Sequence, residues 1–153
     1  MRRFEYTQFV PASLDVVWDF FSSPSNLSKI TPPEMGFMIT SPIQAEMYPG
    51  MFITYKVCPV QGIRLNWVTE ITQVKVKKFF IDEQRRGPYS IWHHEHHFKE
   101  VEGGVEMLDI LTYHVPFGFL GNLADLLFVK NKVKQIFSFR EKRILELFPV
   151  AGR

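Results

Sequence analysis

The sequence predicts an α+β fold in which one strand and two short helices precede an antiparallel meander and a long terminal helix. From residue 37 to 114, turn signals such as Pro49-Gly50 and Gly103-Gly104 recur with no helical stretch between them. From about residue 120 to Pro149, apolar residues return at helical spacing. We therefore expect a seven-stranded antiparallel sheet within a single domain of residues 1–153.

The elements follow one another without a linker. Residues 3–10 alternate as a strand does, Ser13 is suited to cap the helix that follows, and Pro24 ends that helix. A second short helix is predicted over residues 26–30. The strands of the meander are predicted at residues 37–43, 51–58, 63–73, 78–86, 89–100 and 104–114.

Composition excludes several functional classes. With 153 residues, 46% apolar and 22% charged, the chain is typical of one globular domain. Its 15 phenylalanines suit a fold that lines an internal space as well as filling a core. The net charge of +2 is far from the concentrated positive face of a nucleic-acid binder. We expect no nucleic-acid partner and no cofactor, in a monomer or homodimer.

Cysteine use and hydropathy indicate the compartment. Cys58 is the single cysteine, so no intramolecular disulfide can form, which fits a reducing environment. The first residues are not followed by an apolar run, and no segment approaches the length of a transmembrane span. The expected location is therefore the cytoplasm.

The segment Trp92-His93-His94-Glu95-His96-His97-Phe98 holds four of the five histidines. In a strand, residues two apart face the same side, so Trp92, His94, His96 and Phe98 form one row and the other three residues form the opposite row. With tight turns, pairing around Gly103-Gly104 places Phe98 opposite Asp109, His96 opposite Leu111 and His94 opposite Tyr113, and pairing around Gly87-Pro88 places Ile81 near His94.

These registers separate an apolar face from a polar one, and the apolar face must point inward. His93, Glu95 and His97 then form a solvated outer row. The inward face also carries polar groups, which need partners when buried and are typical of a ligand site when they converge among aromatics. The predicted ligand-binding residues are Trp67, Thr69, Ile81, Glu83, Trp92, His94, His96, Phe98, Asp109, Leu111 and Tyr113.

Short motifs in this order resemble the START-like, or helix-grip, superfamily, and in particular its bacterial SRPBCC ligand-binding group related to polyketide cyclase/dehydrase-like proteins. The motifs are Val17-Trp18-Asp19-Phe20-Phe21, Asn26-Leu27, Ile30-Thr31-Pro32, Phe80-Ile81-Asp82-Glu83-Gln84, Gly87-Pro88-Tyr89, Trp92-x-His94-x-His96-x-Phe98, Asp109, Tyr113-x-x-Pro116-x-Gly118 and Phe137-x-x-Arg140. The resemblance implies a curved sheet wrapped around the last helix, with an apolar cavity between them. It also implies that Leu123 and Leu127 line this cavity.

Three chemical interpretations of the inward polar groups remain open. The preferred one is a carrier or sensor for a hydrophobic lipid, polyketide or aromatic metabolite, whose head group the polar cluster fixes. The second is an acid–base enzyme, in which Asp109 or Glu83 orients His94 or His96 and Tyr113 donates a proton. The third is a metal bound by His94, His96 and Asp109, which we do not expect because no further metal motif accompanies them.

The segment Pro116-Phe117-Gly118-Phe119-Leu120 joins the last strand to the terminal helix. Its aromatic pair suits a pocket lid, a peripheral membrane contact or a partner site. The expectation we favour is a hydrophobic staple that packs the start of the helix.

Overall fold

The structure is a computed structural model that describes residues 1–44, 46–60 and 62–149. Within these residues, all strands join one antiparallel sheet in the order β1-β7-β6-β5-β4-β3-β2. The strands are β1 (Arg2–Val10), β2 (Met38–Ile39), β3 (Met51–Val60), β4 (Ile63–Lys75), β5 (Phe79–Arg86), β6 (Ile91–Val101) and β7 (Gly104–His114).

Helices connect and cover the sheet. After β1 come α1 (Leu14–Phe21) and two 3₁₀ helices, Pro24–Ile30 and Pro33–Met35. After β7 come α2 (Gly118–Ala124), a π-helical segment (Asp125–Val129) and α3 (Lys130–Leu147), which together form the long C-terminal helix. The predicted α+β fold with a seven-stranded antiparallel sheet is confirmed, and it matches the helix-grip arrangement.

The core fills the space between the sheet and the helices at the C-terminal end of α3. Ile144 of α3 is fully buried in a cluster with Val10 and Val105. Trp18 of α1 packs edge-on against Phe98, with ring centroids 5.5 Å apart. The other half of α3 packs Val133 against Leu111 and Tyr113 on β7. Burial of these large apolar surfaces, rather than helix propensity, holds the helices on the sheet.

The second strand is shorter than the predicted residues 37–43. Only Met38 and Ile39 pair with β3, and the N–H groups of Thr40 and Ser41 then both bond to the carbonyl of Thr54. Pro42 follows and has no N–H to continue the ladder. The strand therefore ends after two residues.

The predicted register between β6 and β7 is wrong by two residues. The structure pairs His96 with Asp109, His94 with Leu111 and Phe98 with Met107. The reason is the turn, which is formed by Glu102-Gly103 between Val101 and Gly104, with Gly103 at a φ of 79°. A slip of two residues preserves the side-chain parity, so the inward row of β6 is the predicted one.

The predicted register between β5 and β6 is wrong by one residue, which reverses parity. His94 pairs with Asp82 rather than with Ile81. The connection after Arg86 is longer than a two-residue turn, and Gln84 stabilises it because its Nε2 donates to the carbonyl of Tyr89 at 2.6 Å. As a result, Asp82 belongs to the inward face of β5.

A core substitution on α3 tests this packing. We expect Ile144→Ala to lower the free energy of unfolding by about 2–5 kcal/mol, because Ile144 is fully buried and its removal leaves a cavity. Leu145 is half exposed on the same helix, so Leu145→Ala should cost no more than about 0.5 kcal/mol. Urea denaturation of both variants measures the difference, and equal losses would contradict the packing of α3 on the sheet.

Candidate functional site

A cavity of about 200 Å³ lies between the inner face of the sheet, the 3₁₀ helix Pro24–Ile30 and α3. Strands β3 to β6 contribute alternate residues to its wall, as the period of a strand requires. The wall is mainly apolar and rich in aromatic rings, which come from Phe20, Phe21, Phe37, Tyr55, Trp67, Phe80, Tyr89, Trp92 and Phe137. Such a lining suits a planar apolar molecule.

Trp67 stands at the centre of the aromatic wall. Its ring stacks on Tyr55 with centroids 5.9 Å apart and meets Trp92 edge-on at 5.2 Å. Its indole Nε1–H is buried and has no hydrogen-bond acceptor among the described residues. A buried donor without a partner costs free energy, so an acceptor on a bound molecule would stabilise this site.

A buried network of charged side chains forms another part of the wall. His96 lies between two carboxylates, with its Nε2 2.8 Å from Asp82 Oδ2 and its Nδ1 2.7 Å from Asp109 Oδ1. The contact with Asp82 is a well-directed hydrogen bond, whereas the contact with Asp109 is short but poorly directed. An imidazole with a carboxylate at each nitrogen is best satisfied as a doubly protonated cation.

His94 and Arg140 complete the network. His94 Nε2 lies 3.0 Å from Asp109 Oδ1, and its Nδ1 lies 3.7 Å from Asp82 Oδ2. Its ring centroid is 3.9 Å from that of His96. Arg140, on α3, places Nη1 3.7 Å from Asp109 Oδ1. The network therefore joins β5, β6 and β7 to the helix that covers the cavity.

Burial and charge set the protonation states. Burial alone raises the pKa of Asp109, but the attraction of His96 and the close contacts with both histidines outweigh it and hold that pKa well below its usual range. The pKa of Asp82 is lowered in the same way, by the His96 hydrogen bond and nearby positive charge. Burial lowers the pKa of His96, yet the two carboxylates raise it above its ordinary value. Burial and the charge of His96 lower the pKa of His94.

These directions give a consistent charge distribution. They favour carboxylates at Asp82 and Asp109 and a neutral His94 near pH 7, and the carboxylate at each nitrogen of His96 favours its cationic form. Arg140 supplies the second positive charge, so the buried charges cancel. A neutral imidazole on a cavity wall can accept a proton or a hydrogen bond.

The outer row of β6 has its own ion pairs. His93 Nδ1 lies 2.8 Å from Glu83 Oε1, and His97 Nε2 lies 3.0 Å from Glu95 Oε2. All four side chains are partly exposed. Glu83 therefore faces away from the cavity, contrary to the prediction that placed it beside the inward histidines.

The structure brings only part of the predicted site to the cavity. Trp67, Thr69, Trp92, His94 and His96 line it, and Asp109 lies behind the two histidines. The remaining predicted residues do not line it. Ile81 pairs with Glu95 on the outer row, and Glu83 also faces outward. Phe98 and Leu111 belong to the packed core, Tyr113 is fully buried, and Leu123 and Leu127 are exposed on the C-terminal helix.

Tyr113 does not take the predicted role of proton donor to a bound molecule. Its hydroxyl donates to Asp125 Oδ1 at 2.6 Å, and Asp125 is also paired with Arg2. Burial and the Asp125 hydrogen bond raise the pKa of Tyr113. The tyrosine thus anchors the start of the C-terminal helix to β1 and β7.

The sequence prediction missed two charged residues of the site, although both lie in the motifs that carry the resemblance. The predicted pairing of Ile81 with His94 places Asp82 on the opposite face, because that register is one residue off. The motif Phe137-x-x-Arg140 gave Arg140 no predicted role, but only 13% of its side chain is exposed, and it lines the cavity beside Phe137. In the sequence, an arginine next to apolar residues on a helix does not reveal that its side chain is buried.

Asp82, His94 and His96 each offer a ligand atom within 4.8 Å of the others. This is a different carboxylate from the Asp109 of the sequence-based metal hypothesis. His96 directs Nε2 to Asp82 and Nδ1 to Asp109. A metal ion bound to His96 would have to displace one of these two ring protons, each of which faces a carboxylate. The donor set therefore fits the ion-pair network better than a metal ion.

Comparison with known proteins agrees with the fold. The family model described as "Polyketide cyclase / dehydrase and lipid transport" matches residues 10–138. Protein Ms6760 from Mycobacterium smegmatis is similar, with a TM-score of 0.70 at 18% identity, over 98% of this chain and 92% of that one. Protein CV1439 from Chromobacterium violaceum has a TM-score of 0.72 at 14% identity, over 97% and 98% of the two chains.

A further solved structure extends this likeness. Ara h 8.0201 superimposes with a TM-score of 0.60 at 14% identity, over 95% of this chain and 98% of that chain. At these identities the structures show a shared fold alone. No curated protein matches the sequence significantly. Among the described residues, no helix is both long and apolar enough to cross a bilayer.

The protonation of His96 is open to measurement. We expect nitrogen chemical shifts to show His96 as a cation and His94 as a neutral ring at pH 7, since their pKa values shift in opposite directions from 6.5. Because folding raises the pKa of His96, its contribution to the free energy of unfolding is complete below pH 6.5 and is lost as pH rises through the folded-state pKa.

The variant His96→Gln provides the matched comparison. At a pH below the ordinary histidine pKa, its free energy of unfolding should be about 3–5 kcal/mol lower than that of the wild-type protein, because two buried carboxylates lose their cation. At alkaline pH the difference should be smaller. A His96 that titrates at or below 6.5 in the folded protein would contradict the assigned network.

Proposed function

Because the chain belongs to the polyketide cyclase/dehydrase and lipid transport family, we propose that it binds a compact hydrophobic molecule inside the cavity, as a carrier or sensor in the cytoplasm. The observation that carries the proposal is the aromatic-rich cavity, whose lining includes Trp67, together with the lack of an acceptor for the buried Trp67 Nε1–H among the described residues. Buried donors in folded proteins are normally paired with an acceptor. A ligand acceptor group would satisfy this one.

The size of the cavity narrows the class of ligand. An apolar cavity of about 150 Å³ in another protein binds benzene, so one of about 200 Å³ suits a molecule of one or two rings. An extended diacyl lipid needs far more space. We therefore favour an aromatic metabolite or a small cyclic polyketide among the hydrophobic classes considered.

The polar groups suit a ligand with one oxygen-bearing end. Trp67 Nε1 can donate to a carbonyl or hydroxyl oxygen, and neutral His94 can accept from a hydroxyl. Tyr55 and Thr69 already satisfy one another, with their hydroxyls 3.0 Å apart. The charged residues behind His94 balance one another, so the site favours an uncharged ligand over an ion.

A pair of probes of nearly equal shape tests this assignment. We expect 2-acetylnaphthalene, which has a carbonyl, to bind about five- to tenfold more tightly than 2-isopropenylnaphthalene, because only the ketone accepts a hydrogen bond from Trp67. In Trp67→Phe the ring remains but the donor is lost, so the two affinities should become equal. Quenching of tryptophan fluorescence or calorimetry measures both affinities.

Phe52→Leu is the control, because Phe52 is exposed on β3 and does not line the cavity. It should leave both affinities unchanged. Failure of both probes to bind the wild-type protein would count against an open cavity, and a preference that survives in Trp67→Phe would assign the acceptor site elsewhere.

The second candidate function is acid–base catalysis, and the lowered pKa of His94 favours it. A neutral imidazole held between Asp109 and Asp82 on the cavity wall is placed to take a proton from carbon next to a carbonyl. Trp67 Nε1–H would then stabilise the oxyanion that forms. Glu83 and Tyr113 take no part, since neither lines the cavity.

Deuterium exchange at the methyl group of 2-acetylnaphthalene distinguishes an enzyme from a carrier. If His94 is a general base, the wild-type protein should accelerate exchange, and His94→Gln should lose about a hundredfold or more of that rate while it still binds the ketone. Exchange no faster than in buffer would leave the carrier function alone. If Asp109→Asn lowers the free energy of unfolding and the exchange rate together, the cluster is structural.

A further inference from the structure

We propose that residues 117–128 form a docking surface for an anionic lipid membrane. This membrane-docking segment comprises Phe117, helix α2 and most of the π-helical segment. Its large apolar residues point outward, namely Phe117, Phe119, Leu120, Leu123, Leu126, Leu127 and Phe128. Most soluble surfaces do not carry a contiguous apolar stripe of this kind.

The helix is amphipathic in the reverse of the usual sense. In α2, at 3.6 residues per turn, positions 119, 120 and 123 share one side, opposite Gly121, and Leu126 and Leu127 of the π-helical segment are also exposed, whereas Asp125 is buried. Gly121 and Asp125 are the buried residues, whereas Phe119 is 79% exposed and Phe128 is 70% exposed. The helix therefore buries its glycine and its carboxylate and presents its leucines and phenylalanines to the surroundings.

Specific contacts fix this orientation. Asp125 accepts from Tyr113 Oη at 2.6 Å and pairs with Arg2 on β1. A Cβ built on Gly121 would lie 1.8 Å from the carbonyl oxygen of Pro116, so this face of the helix packs closely on the preceding backbone. The helix cannot rotate its leucines inward without breaking both contacts.

Phe117 also faces outward and contradicts the staple predicted for the start of the helix. Its φ of 75° lies in the left-handed region, which is uncommon for a bulky residue, and Gly118 follows at 55°. The side chain is 82% exposed and therefore does not pack against the helix. An aromatic ring projected at the end of an apolar helix face suits insertion among lipid head groups.

Charge identifies the occupant of this surface. Between Asp109 and Glu141 the sequence contains a single acidic residue, Asp125, which is buried and paired. The same stretch contains Lys130, Lys132 and Lys134, which begin two residues after Phe128. Lys132 lies 3.9 Å from the exposed carboxylate of Glu34, so Lys130 and Lys134 are the lysines offered to the bilayer. Protruding apolar side chains beside these two lysines complement the negative surface of an anionic bilayer. A second copy of the same segment would bring like charges together.

The membrane-docking segment lies next to the cavity along the same helix. Lys132, Val133 and Ile136, in the first turns of α3, line the cavity. Docking through residues 117–128 would therefore bring this end of the cavity towards the bilayer, where apolar molecules concentrate. The docking proposal itself depends on the surface alone and not on ligand binding.

Vesicle flotation tests the proposal. We expect the wild-type protein to bind vesicles of phosphatidylcholine with about a quarter phosphatidylglycerol, and to bind pure phosphatidylcholine vesicles about tenfold less. The variant Phe117→Ser/Phe119→Ser/Phe128→Ser should lose about tenfold or more of the binding to anionic vesicles. Lys130→Glu/Lys134→Glu should lose binding to anionic vesicles specifically, and added salt should weaken the binding of the wild-type protein.

The control is Phe52→Ser, which removes an exposed phenylalanine from β3 and should leave vesicle binding unchanged. Because the three substituted phenylalanines are exposed, the thermal midpoint of the triple variant should match that of the wild-type protein. Absence of vesicle binding by the wild-type protein, or equal binding by the triple variant, would overturn the proposal. So would a stable dimer in sedimentation analysis that becomes monomeric in the triple variant, since a second copy would then cover the surface.

Discussion

The site depends on charge neutrality inside the sheet. Two carboxylates, Asp82 and Asp109, lie where water is largely excluded, and each would be costly to ionise alone. His96 contacts both carboxylates, and Arg140 approaches Asp109 from the C-terminal helix. The two positive charges offset the two negative ones, which leaves His94 neutral. The protonation of every group in the network follows from this balance.

The same network explains why one wall of an apolar cavity is polar. Strand pairing places Asp82 opposite His94 and Asp109 opposite His96, so the ion pairs form between adjacent strands without any loop rearrangement. Arg140 reaches the network only if α3 lies across the sheet. A change in helix position would therefore expose unpaired charge. The polar wall ties the shape of the cavity to the docking of the helix and preorganises His94 for a ligand.

The sequence predicted the features that depend on local periodicity. Alternation identified the inward row of β6, and an error of two residues in the β7 register did not affect it, because strand parity repeats every two residues. The connection after Arg86 depends on a side-chain contact from Gln84, which no pattern reveals, and the resulting error of one residue hid Asp82. Likewise, the outward face of residues 118–128 is set by Arg2 and Asp125, which are 123 residues apart.

The central claim is that the cavity holds a compact hydrophobic molecule in the cell. Native mass spectrometry of the protein isolated from its source organism tests it most directly. The account predicts a fraction of the protein with added mass, released by organic solvent as a molecule of one or two rings with an oxygen acceptor, and lost in Trp67→Phe prepared in the same way. A population with the mass of the chain alone, together with no binding of either naphthalene probe, would contradict it.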